Sequence, residues 1–139
     1  MSTASEKLLV QQDGPIKTIV FNQPEKKNAV SVEMSKALLA EIERTAEDDS
    51  KVIILTGAAH DFCAGADLDP GLIAGGGGFD VTEFLRSTYN KLVLKMRSID
   101  KPFIARVKGN AVGVGCNFAL ACDLVIAGES AKFSQIFTR

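Results

Sequence analysis

Phe62-Cys63-Ala64-Gly65-Ala66-Asp67-Leu68 and Gly109-Asn110-Ala111-Val112-Gly113-Val114-Gly115-Cys116-Asn117 decide how this chain reads. The first follows the β-branched run 51–56, and the second follows the run 103–107 and opens an apolar helix. Both are too bare of side chains to do chemistry with functional groups, so what they offer is backbone N–H. Two such groups converging on one carbonyl oxygen make an oxyanion hole, in which fixed donors stabilise charge that develops during reaction. A helix starting near Val114 turns its unpaired N–H groups and positive end toward the loop before it. Gly113 and Gly115 are expected to let a ligand approach that backbone, and Gly65 to do the same in the first segment. The competing reading is a pair of tight strand-to-helix turns built from small residues. Recurrence of the pattern at matching strand ends favours a site.

Outward from these segments, the pattern alternates strands and helices. Residues 8–12 and 16–22 flank Asp13-Gly14, a hairpin turn signal. A polar loop, 23–28, carries Pro24, Lys26 and Lys27. Ser31 is placed to cap a helix with Glu33 in its first turn, and Met34, Leu38, Ile42 and Ala46 follow at helical spacing. Asp80 and Glu83 have capping-box spacing and open a second helix, on which Leu85, Tyr89, Leu92 and Met96 are expected to share one buried face. Lys101-Pro102 ends it, and the apolar run 103–107 is a buried strand. The helix from about Val114 to Cys122 feeds a last strand, 124–127. This alternation implies crossover connections, a largely parallel sheet and an antiparallel N-terminal hairpin. No sequence repeat or linker divides residues 1–139, which read as one α/β domain.

Composition excludes several classes. The 139 residues are 46% hydrophobic and 24% charged with a net charge of −1, a soluble globular balance without a nucleic-acid footprint or a polybasic membrane anchor. The apolar run 111–127 is interrupted by glycines, Asn117 and Asp123, and so reads as core and not as a membrane span. The polar start, 1–7, is no signal peptide, and three cysteines without a CxxC spacing fit reduced thiols in the cytoplasm. One His with scattered Cys cannot supply a metal site, and the Gly75–Gly78 run lacks the lysine of a phosphate loop. That run is expected to form a flap near the ligand or to be disordered. His60 lies three residues from Cys63, which is no evidence of a nucleophile–base pair.

Six short motifs in register carry a resemblance: Asn22, Pro24, Asn28 and Ala29; residues 62–68; residues 101–105; residues 109–115; Ala121-Cys122-Asp123-Leu124; and Ala131-Lys132-Phe133. Together they span about 16–139 and resemble the crotonase (enoyl-CoA hydratase/isomerase) family. The resemblance implies a spiral of ββα units that binds an acyl-CoA thioester. The thioester oxygen would sit between the N–H groups of Ala66 and Val114. It also implies that the nucleotide part of coenzyme A lies against Lys26, Lys27 and Ala29 and the backbone of Ala64, Gly65, Asp67 and Leu68. Asp67 is expected to fix a turn and not to react. Gly113, Asn117 and Phe137 are further candidates to contact the substrate. Coenzyme A arrives as part of the substrate, and no separate cofactor is implied. Relatives assemble as trimers or dimers of trimers.

The departures are as informative. Where hydratases of the family carry glutamates, this chain has Asn117 and Phe137. Hydration needs a base to activate water and an acid to deliver a proton, and neither residue can do either at neutral pH. Glu129 follows a strand and reads as solvated. Isomerase-like chemistry is therefore favoured over hydration, with one carboxylate supplied later in the chain in such relatives. The alternative is a non-catalytic acyl-CoA-binding or assembly protein that keeps the fold. Residues 134–139 resemble the opening of a segment that continues in the family, so the expectation is a C-terminally truncated piece, inactive on its own. Phe84 and Tyr89 are further candidates to line the acyl site.

Overall fold

The computed structural model describes residues 2–68, 70–71 and 78–137. Of the run Gly75–Gly78, expected to form a flap or to be disordered, residues 75–77 lie outside them.

The Asp13-Gly14 hairpin forms as the sequence suggests, with Gly14 at φ 54 and β2 (Leu8–Asp13) antiparallel to β3 (Ile16–Phe21). A strand not foreseen from the polar N-terminus, β1 (Ser2–Ser5), pairs antiparallel with β2. From β3 onward the sheet is parallel, through β4 (Val52–Gly57), β5 (Phe103–Val107) and β7 (Leu124–Ala127), in the order β1-β2-β3-β4-β5-β7. Their Val, Ile and Leu content fits strands covered by crossover connections. On β7, however, Leu124, Val125 and Ile126 are exposed.

A second, thinner layer positions the site. After β3 the chain makes one bridge at Val30, which pairs in parallel with Ala66. After β4 it passes Cys63, which bridges to Ala111. After β5 it forms β6 (Asn110–Val112), and after β7 it forms β8 (Lys132–Ser134), which pairs in parallel with β6. Each parallel strand from β3 onward is thus followed by a bridge or a short strand in the second layer, and helices follow the first three. The repeat is in structure, with only Asn-Ala-Val at 28–30 and 110–112 echoing it in sequence. Elements of one to three residues leave no alternation pattern to detect, which is why β6 and β8 were not anticipated.

Helix α1 (Val32–Thr45) starts where Ser31 predicts, its Oγ accepting the Met34 N–H at 3.2 Å. Asp80 caps α2 (Val81–Ser87) by accepting the Glu83 N–H at 3.1 Å. The single helix expected through Met96 is broken at Thr88 (φ −116, ψ −91), and α3 (Tyr89–Ser98) follows as a separate helix. Tyr89, Leu92 and Met96 are buried as expected, but the break turns Leu85 out of the core to 40% exposure. Helix α4 (Val114–Ala121) follows β6. The core joins these elements through aromatic contacts: Phe21 against Phe62 (5.6 Å), Phe21 against Phe118 (6.2 Å), and Phe118 against Tyr89 (6.1 Å). Rings at these separations contribute beyond their buried area.

One buried charge cluster was not anticipated. Lys17 on β3 reaches Glu41 (2.7 Å) and Thr45 Oγ1 (3.1 Å) on α1 and pairs with Asp48. Lys101 donates to Asp48 O at 2.8 Å. Among the described residues, no helix is long and apolar enough to cross a membrane, and no group of His, Cys, Asp and Glu could hold a metal ion.

Candidate active site

The first half of the site is held by a loop that the sequence marks with Pro24 and Asn28. A 3₁₀ turn, Pro24–Lys26, delivers Lys27 and Asn28 at positive φ (51 and 58), a conformation Asn tolerates better than most residues. Asn28 is fully buried, and its carboxamide binds the loop to the next crossover. Its Oδ1 accepts the Gln23 N–H at 2.9 Å, while Nδ2 donates to Ala58 O (2.9 Å) and Asp61 O (2.8 Å). The Ala64 N–H donates to Lys27 O (3.0 Å), the Val30 N–H to Gly65 O (2.7 Å) and the Asp67 N–H to Val30 O (2.9 Å).

These bonds determine where the Ala66 N–H points. In a parallel bridge the residue whose two neighbours make the bonds faces its own N–H away from the partner. Ala66 is that residue opposite Val30. Cys63 faces β6, donating to Asn110 O (2.9 Å) and accepting from the Val112 N–H (3.0 Å). Strict alternation would turn Ala66 away from that side. Gly65 at φ 117 shifts the alternation by one residue and returns Ala66 to it. Beyond Val112 the neighbouring chain has become α4, and the Ala66 N–H meets no backbone acceptor among the described residues.

The second half is the start of α4. Gly113 (φ 55, ψ −122) donates its N–H to Ser134 O at 2.9 Å and accepts the Asn117 N–H at 3.0 Å. Val114 follows as the first helical residue. Its N–H likewise has no backbone acceptor among the described residues, as the geometry of a helix start requires. A Cβ on Gly113 would meet nothing within 4 Å, so the space beside this turn is open. Gly115 behaves differently from the expectation that it leaves room for a ligand. A Cβ there would lie 2.3 Å from Cys63 O, so Gly115 is needed for α4 to seat on the first segment.

The two halves face one cleft of about 470 Å³. Ala64, Gly65, Ala66, Leu68, Gly113, Val114, Asn117 and Phe137 line it, together with Leu85, Tyr89, Asn90 and Ile136. Lys26, Lys27, Ala29 and Asp67 are not in the lining; they flank it, with Lys26 Nζ paired to Asp67 Oδ2 at 2.8 Å across the two loops. Asn117 Oδ1 accepts from Gln135 Nε2 at 2.7 Å. Phe84 is outside the lining and packs between Phe79 (5.4 Å) and Tyr89 (5.7 Å). The sequence pattern predicts Leu85 in the core and does not mark Asn90 or Ile136. Their adjacency to Tyr89 and Phe137 was the signal available for those two.

No lining residue among the described ones carries a carboxylate or an imidazole. Tyr89 is buried, donates to Val30 O at 3.1 Å, and is pushed up to about 12 by that burial, so it braces the site and does not trade protons at neutral pH. Burial likewise pushes the Cys63 thiol up to about 12, which removes it as a nucleophile, and His60 is exposed. The arrangement can hold an oxygen with main-chain donors and surround an apolar group.

The enoyl-CoA hydratase/isomerase family model matches residues 11–139. The chain belongs to this family. It is 40% identical over 121 residues to a probable enoyl-CoA hydratase of Rhodobacter capsulatus, covering 87% of this chain and 46% of that protein. To the 1,2-epoxyphenylacetyl-CoA isomerase of Escherichia coli it is 35% identical over 136 residues, 96% of this chain and 52% of that one. Among solved structures it is similar to an enoyl-CoA hydratase/isomerase from Xanthobacter autotrophicus, with a TM-score of 0.84, 32% identity, and coverage of 93% and 48%. The fold is therefore the crotonase fold. The chain spans about half the length of the curated relatives it matches.

Proposed function

We propose that this enoyl-CoA hydratase/isomerase family member binds an acyl-CoA thioester and holds the thioester oxygen between the N–H groups of Ala66 and Val114. The observation that carries this reading is the pair of N–H groups without backbone acceptors in one cleft, each left so by its own local geometry. Polarising a thioester carbonyl acidifies its α-carbon and makes its β-carbon electrophilic. The enolate-like charge that follows is stabilised by fixed donors that need no reorganisation. In this reading Lys26, Lys27, Ala29 and Asp67, with the backbone of Ala64, Gly65 and Leu68, flank the nucleotide part of coenzyme A. Gly113, Asn117 and Phe137 border the acyl group.

Isomerase-type chemistry is favoured over hydration, because Asn117 and Phe137 cannot serve as a base–acid pair for water. The absence of a carboxylate from the described lining favours, as the second reading, an acyl-CoA-binding protein without turnover. Assembly into trimers or dimers of trimers, in the cytoplasm, completes the proposal. The exposed Leu94, Leu120, Leu124, Ile126 and Phe137 support further burial against protein. The deciding experiment incubates the full natural protein with but-3-enoyl-CoA and, separately, with but-2-enoyl-CoA. Migration of the double bond without accumulation of hydroxyacyl product is the expected result. Steady hydration of but-2-enoyl-CoA overturns the isomerase preference, and tight binding without either reaction favours the second reading.

A further inference from the structure

Where the cleft meets a second hollow of about 580 Å³ between α3 and α4, two carboxamides stand at the junction, Asn90 and Asn117, each lining both spaces. The side chain of Asn117 is not left to turn freely. Gln135 Nε2, on an exposed side chain, donates to the Oδ1 of the half-buried Asn117 at 2.7 Å, and the backbone just before Gln135 is fixed. Gln135 follows β8 directly, and the Ser134 carbonyl before it accepts the Gly113 N–H at 2.9 Å, tying the strand end to the start of α4. An amide whose oxygen is occupied in this way has its NH₂ left for a ligand.

We propose that Gln135 is a positioning residue. By holding Asn117 Oδ1 it turns the Asn117 amino group to the cleft, and the site thereby selects acyl thioesters that carry an acceptor oxygen on the acyl chain. The inference rests on the thioester reading above and adds to it a class of acyl group. A saturated hydrocarbon chain offers nothing to this amino group and displaces water from it, whereas a keto oxygen bonds it. That asymmetry is the usual source of discrimination by a polar group in an apolar site.

The test measures calorimetric dissociation constants of butanoyl-CoA and 3-oxobutanoyl-CoA for the full natural protein and for Gln135→Ala and Gln135→Glu. The wild-type protein is expected to prefer the 3-oxo thioester by roughly threefold to tenfold, the net worth of one neutral hydrogen bond. Gln135→Ala frees the amide to rotate and reduces the preference. Gln135→Glu can only accept, so it draws the Asn117 amino group to itself, presents Oδ1 to the keto oxygen and abolishes the preference. Butanoyl-CoA controls for the added negative charge, because the ratio of the two constants is what is read. A merely structural Gln135 would leave that ratio unchanged in both variants, and this result overturns the inference. Equal binding of the two thioesters by the wild-type protein also overturns it while the thioester reading stands. Binding of neither overturns both.

Discussion

Replacing Val114 by proline removes one main-chain donor while sparing the helix it belongs to. Val114 is the first residue of α4, and its N–H makes no intrahelical bond. Proline is at home at this position, where its missing N–H costs the helix nothing. The residue before a proline is driven out of the helical region, and Gly113 at φ 55 and ψ −122 already sits in the mirror of the extended region, open to glycine. Proline keeps three side-chain carbons, as valine does, but draws them back onto the nitrogen, so packing around a side chain only 8% exposed is lost at about 1–2 kcal/mol of stability. Val114→Ala removes both methyl groups, at least as large a packing loss, with the N–H intact and is the control. If the Val114 N–H holds the developing oxyanion, the proline variant loses about 10²–10³ in kcat, roughly 2.7–4 kcal/mol of transition-state stabilisation. The alanine variant should stay within a few-fold of wild type. The assay is isomerisation of but-3-enoyl-CoA by the full natural protein, with circular dichroism to verify that α4 persists. Equal rates for the folded proline and alanine variants would refute the oxyanion assignment of Val114.

Other substitutions probe the frame around the site. Gly115→Ala places a methyl 2.3 Å from Cys63 O and should cost about 1–3 kcal/mol by urea denaturation, with a weaker grip on ligand as α4 lifts from its seat. Lys17→Ala leaves Glu41, with 5% side-chain exposure, facing Arg44 alone and should destabilise by about 3 kcal/mol, read as a lower urea midpoint. Burial would raise Asp48, but hydrogen bonds from Lys17, Ser50 and Lys101 outweigh it and hold this carboxyl well below the usual range. Its contribution is therefore fully present above the unfolded aspartate value near pH 4 and is lost as pH falls below it. Asp48→Asn should flatten the acid limb of the stability profile, and an unchanged limb would count against the cluster. Burial pushes both Cys63 and Cys122 up to about 12, so iodoacetamide at pH 8 should leave them unmodified by mass spectrometry until the protein unfolds.

The long elements were legible because their signals are local. Ser31 and Asp80 cap the helices they precede, and the β-branched runs at 52–56 and 103–107 form adjacent parallel strands. What escaped notice depends on partners far along the chain. Lys17 looks like an outward strand residue until Glu41 and Asp48 are brought to it. The one-residue bridge at Val30 exists only because residues 65–67 arrive beside it. The spacing of Leu85 predicts a core position only for an unbroken helix, and Thr88 breaks it. At the site, the two small-residue segments were read from sequence, and the structure brings them to one cleft. Gly113 and Gly115 look alike in sequence, yet one faces open space and the other faces Cys63. The Gln135–Asn117 contact had no sequence signal at all, since 18 positions separate its partners.

The register shift at Gly65 has a consequence for how such a protein can diverge. The donor it exposes belongs to the main chain at Ala66, so ordinary substitution of that side chain leaves the donor in place. Only changes that alter the torsions at Gly65, or that remove an amide hydrogen, abolish it. Residues 117 and 137 are under no such protection, because what they contribute is entirely side chain. The fold thus separates a main-chain donor that resists single-codon change from side-chain positions in the same cleft that are freely exchangeable. Successive variants can change the chemistry of the cleft while the donor at Ala66 stays in the same place.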